Sequence, residues 1–95
     1  MGLALIASAP ALAQDQAERV AAGSAAKDCI RAAAEKFEPS GEPADDIATA
    51  TFGHCDQQIS ALRATSESLA AELLPRLRNM AVARVVEIRA ARRGH

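Results

Sequence analysis

The sequence predicts an all-α protein: a disulfide-stapled antiparallel helical hairpin with a long, kinked second helix or a third C-terminal helix, forming a small helical bundle. Three observations predict it. Apolar residues recur at steps of three and four along most of the chain, the period of one helix face. Alanine, the best helix former, is the commonest residue. The only two cysteines, Cys29 and Cys55, flank one break marked by proline and glycine, "EPSGEP" at 38–43. Ninety-five residues allow one domain.

The chain opens "MGLALIASAPALAQDQ". Residues 1–13 carry no charge, and Gly2 to Ala9 form an apolar run too short to span a bilayer. Ala11-Leu12-Ala13 then supplies the small-x-small pattern that signal peptidase accepts. The segment reads as a signal peptide cut after Ala13, although it lacks a basic n-region. Residues 14–95 are then a single helical domain in a periplasmic or secreted, oxidising setting, with helices expected at about 15–37, 43–73 and 75–92.

In the first helix Ala22, Ala26, Cys29, Ile30, Ala33 and Phe37 share a face. That stripe is mostly alanine, so another helix can come close. Pro39 biases Glu38 away from helix, and Gly41 frees the backbone to turn. Ser40 is a candidate cap, and Pro43 suits a first helical turn. Glu42, Asp45 and Asp46 place negative charge where the next helix dipole favours it. The short linker makes the two helices antiparallel neighbours.

The second helix presents Ile47, Thr51, Phe52, Cys55, Ile59 and Leu62. From Cys55 the seam runs on through Ser66 and Leu69 to Leu73 in alternating steps of four and three. This continuity favours one helix through residues 63–68. The rival is a break with Thr65 or Ser66 as N-cap. Pro75 predicts a kink near Leu74 or a fresh helix start.

Cys29 and Cys55 have residue 42 as their midpoint, so they stand at similar heights above the turn, each on an apolar stripe. A structural disulfide is the expectation. Neither the C-x-x-C spacing of redox catalysts nor a basic environment surrounds them. His54 and Cys55 are adjacent and point about 100° apart on a helix, so they make a poor metal pair. No metal or cofactor is expected.

Beyond residue 65 nine bulky apolar residues remain, from Leu69 to Ile88, with no helix opposite them in a simple hairpin. Leu69, Leu73, Leu77, Met80, Val85 and Ile88 form the expected interaction surface. They can be covered by a third helix folding back, by a second copy, or by another partner. Residues 14–65 hold five basic and nine acidic groups, and residues 66–95 hold six and three, so the halves carry −4 and +3.

The formal net charge is −1, Trp and Tyr are absent, and the aromatics are Phe37 and Phe52. This argues against nucleic acid, which needs a basic surface and stacking groups. Glu72 and Glu87 interrupt the basic tail, which argues against a membrane-surface helix. Asp45-Asp46 sits in a first turn as dipole complement, and no nucleophile–base set is visible. Catalysis is not expected.

With its leader-like start, Cys29…Glu42-Pro43-Ala44…Ile47-Ala48…Cys55 and amphipathic tail, the chain resembles small exported bacterial proteins with a hairpin held by one disulfide. The function expected is an exported interaction or stress-related binding module, as a homodimer or with an unknown protein partner. The alternative is a periplasmic carrier or sensor of a small ligand or metal.

Overall fold

The computed structural model describes residues 2–94, with side chains from Ala13 onward. The side chains of the expected leader up to Leu12 lie outside the described residues. Helix α1 spans Gly2–Phe37, followed by one 3-10 turn, Glu38–Ser40. Helices α2 (Ala44–His54), α3 (Asp56–Thr65) and α4 (Glu67–Arg93) complete the chain.

These helices pack as three rods. Cys29 and Cys55 are joined with their Cα atoms 6.0 Å apart, which sets α2 and α3 antiparallel to α1. Close approach is possible because the facing surfaces are small: Ala26, Ala33, Ala34 and Ala48 are all buried. Helix α4 returns parallel to α1. Gly23 meets Leu73, Glu35 meets Arg84 and Glu38 meets Arg92, so the two numberings rise together. A Cβ at Gly23 would stand 3.3 Å from the Leu73 side chain, so glycine gives α4 room there. At the turn, Gly41 has φ +79°, where any side chain would strain the backbone.

The single helix expected over 43–73 is corrected to three segments, each with a local cause. Cys55 departs from helical geometry (φ −99°, ψ 22°) at the residue the disulfide holds. Its N–H still donates to the Thr51 carbonyl, and its carbonyl accepts from Ile59, both at 3.0 Å. The rod therefore bends there without opening. Ser66 is fully extended (φ −161°, ψ 110°), and its hydroxyl accepts from the Leu69 N–H at 3.2 Å. That N-cap starts α4 and is worth about 1 kcal/mol. Of the two readings of residues 63–68, the break at Ser66 is correct.

The boundary expected at Pro75 is corrected too, because α4 runs through it. Pro75 and Ala71, whose carbonyl loses its partner, both face solvent, where water can replace the missing bond.

The tail folds back as a third rod. Leu77 and Val85 are buried in the core with Ile30, Ile47, Ile59 and Leu62, so as interaction-surface residues they are corrected to core residues. Leu69, Leu73, Met80 and Ile88 are half-buried.

The disulfide spans a sequence separation of 26, and closing such a loop is worth about 3.5 kcal/mol in the chain-entropy model. The double variant Cys29→Ser/Cys55→Ser should lose that much in urea unfolding, with reductant producing the same shift in the parent alone. Thr51 is fully buried and its hydroxyl oxygen has no hydrogen-bond partner. Thr51→Val should therefore raise stability by about 1 kcal/mol, read from the same unfolding curves.

Candidate functional site

Two features stand out from the packed core: a clamp at the closed end of the bundle and a groove at the open end.

The clamp is built on Glu38, whose side chain is only 2% exposed. Pro39 and the 3-10 turn place it where the end of α4 arrives. Arg92 grips its carboxylate with both terminal nitrogens, a two-pronged pairing that matches the two planar groups. Arg89 Nε donates to the same carboxylate at 3.2 Å, and its Nη2 donates to the Glu42 carbonyl at 2.6 Å. Two arginines of α4 thus tie down the turn between α1 and α2. The hydrogen bond from Arg92 holds the Glu38 carboxyl below its ordinary value of 4.5, winning over burial, which pushes it up; Arg89 acts in the same sense as Arg92. Nearer the middle, Arg78 donates to the Asp45 carbonyl and the Thr49 hydroxyl, and Arg84 pairs with Glu35 and Glu87.

The groove lies between the middle of α1, from Ala13 to Lys27, and the first turns of α4. Its volume is about 1090 Å³. Ala13, Ala17, Val20, Ala21 and Gly23 line it from α1, and Leu69, Leu73 and Leu77 from α4. Polar atoms come from Gln16, Ser24, Arg19 and Lys27. Every residue from Ala13 to Ala21 is exposed. Val20 is 71% exposed, the most open large apolar side chain among the described residues. The lining holds no carboxylate, histidine or thiol, and its charged groups are Arg19 and Lys27, so it offers burial, hydrogen bonding and positive charge.

Of the expected surface, Leu69 and Leu73 reach this groove and Leu77 forms its floor, whereas Met80, Val85 and Ile88 lie further along α4 and do not line it. Cys29 is half-buried and Cys55 buried, both in the disulfide. His54 is exposed, with its ring edge-on to Phe37 at 5.4 Å. The sequence offers Val20 as one of the hairpin's few bulky core side chains; the structure corrects this, since Val20 lies off the Ala22–Phe37 stripe and is exposed at the groove. Sequence reasoning missed the clamp. The available signal was the three-residue spacing of Arg89 and Arg92, which puts both guanidinium groups on one face.

Because the folded-state value of Glu38 lies below the unfolded one, its contribution to stability is complete above about pH 4.5 and is lost as pH falls through the folded value. Glu38→Gln should lower the melting temperature at neutral pH, since two arginines are left without their counter-charge. The same variant should show a flatter fall in melting temperature below pH 4.5 than the parent does.

Compared with protein-family models, curated proteins and solved structures, the chain matches none.

Proposed function

We propose that the protein is a small exported helical module, periplasmic or secreted, that works by association rather than catalysis. Its groove takes α1 of a second copy. The observation that carries this reading is the unfilled space beside Val20, where a fourth helix would complete the bundle.

Several features support export. The opening run ends in Ala11-Leu12-Ala13, and a disulfide suits an oxidising compartment. No helix among the described residues is long and apolar enough to cross a membrane. Among the described side chains the first that is even half-buried is Ala22, well past the expected cut after Ala13.

The choice of a second copy rests on self-complementarity. The exposed stretch of α1 that borders the groove is itself an uncovered face of small residues and one valine. Two such helices crossing antiparallel at Ala21 each cover the other's groove by one two-fold axis. The same crossing sets Asp15 of one copy level with Lys27 of the other, twice over. The alanines permit a short separation between axes, as in the disulfide region.

Light scattering of oxidised residues 14–95 should give a mass that rises with concentration toward twice that of one chain. Val20→Glu should abolish the rise while leaving the melting temperature within a few degrees, because Val20 is not part of the core. Val86→Glu, at the other exposed large apolar position, should leave the rise intact. A single-chain mass at every concentration would falsify the proposal. A single-chain mass with a melting temperature raised by a small apolar ligand would establish a carrier in its place.

A further inference from the structure

We infer that Gln14 is a modification site: after leader removal its side chain closes onto the new amino terminus, leaving a pyroglutamyl chain end. The inference rests on the cleavage after Ala13 proposed above and adds a covalent step to it.

The chemistry needs only the residue that the cut exposes. The α-amine of Gln14 attacks the carbonyl carbon of its own side-chain amide. A new C–N bond closes an unstrained lactam, the bond from that carbon to the side-chain nitrogen breaks, and ammonia departs with the proton the amine gives up. Atoms balance without an oxidant, a reductant or water. The side chain at position 14 is decisive: serine or alanine there would have no amide, and asparagine would be one carbon too short for a relaxed ring.

The structure makes Gln14 free to react. It is exposed, as are all residues from Ala13 to Ala21, so its side chain is not withdrawn into the core. The cut also turns Gln14 into the first residue of α1, at the positive end of the helix dipole. An ammonium is disfavoured there, and α-amines titrate at about 7.7–8.0 even without that influence. The free amine is the nucleophile. Cyclisation converts that amine into a neutral amide and removes the unfavourable charge. Asp15 and Glu18 remain in the opening turn, where negative charge is favoured. Reactivity and helix electrostatics thus act in the same direction.

The test uses the full 95-residue chain with its own leader, exported by a bacterial host and sampled over a long incubation at neutral pH. The expected product begins at residue 14 and is lighter by one ammonia than the uncyclised chain. Stepwise N-terminal degradation should be blocked, and pyroglutamyl aminopeptidase should release the block and expose Asp15. Gln14→Ser, cut at the same bond, should keep a free amine throughout. A Gln14 amine that persists through the incubation overturns the modification and leaves leader removal standing. A chain that begins at any other residue overturns both.

Discussion

The close approach of two alanine-lined helices at Cys29 and Cys55 is the constraint on which the other features depend. A separation of 6.0 Å between Cα atoms leaves no room for bulky side chains between the rods at that height. Ala26, Ala33, Ala34 and Ala48 satisfy that condition, and in doing so they make a lean core. A hairpin of this kind buries too little apolar surface to stand alone. Its larger buried side chains come from both arms of the hairpin and from the returning helix: Ile30, Ile47, Ile59, Leu62, Leu77 and Val85. The third rod is therefore a consequence of the first contact. The disulfide sets the gap, the small residues fill it, and α4 has to supply the apolar mass that they lack.

The two ends of the bundle are finished differently. At the closed end, Arg89 and Arg92 hold Glu38 and the carbonyl of Glu42, so the turn is fixed by charge-assisted hydrogen bonds and not by packing alone. Burying one carboxylate against two guanidinium groups is tolerable because each of its oxygens has a donor. At the other end α3 stops at Thr65, Ser66 reverses the chain, and α1 continues past both neighbours. Among the described residues, no further segment of the chain covers the apolar surface left at that end.

The helical class, the hairpin, the cysteine pairing and the turn at Gly41 were legible in the sequence because each rests on local chemistry. Proline, glycine and helical spacing act within a few residues, and Cys29 and Cys55 sit symmetrically about their turn. The break at Ser66 was harder to read. The seam from Cys55 to Leu73 keeps its count because α3 and α4 both direct their apolar stripes at α1. Phase continuity reported a shared core, which one helix or two can satisfy equally. Of the two readings at Pro75, the fresh helix start is excluded, since its lost hydrogen bond falls on the solvent face and α4 runs through it. For the site, Leu69 and Leu73 were visible as surplus apolar residues, but Leu77 and Val85 were not distinguishable from them without the fold. Val20 and Glu38 matter through what reaches them, or fails to reach them, from fifty residues away in sequence, as the pairing of Glu38 with Arg89 at a separation of 51 shows.

The same geometry separates the residues that hold the bundle together from those that border the groove. Residues that hold the bundle together lie from Ala26 onward in α1, beside the disulfide and toward the clamp. Residues that border the groove on α1 run from Ala13 to Lys27, and those from Ala13 to Ala21 contribute nothing to the core. A charge placed at Val20 changes what can dock without removing any buried contact, whereas a charge at Leu77 would strike the core and the groove floor together. The groove is thus chemically independent of the disulfide and the clamp. An occupant that fills it adds apolar contact to the end of the molecule that its own chain leaves uncovered, and a helix of small residues with one valine has the shape to do so.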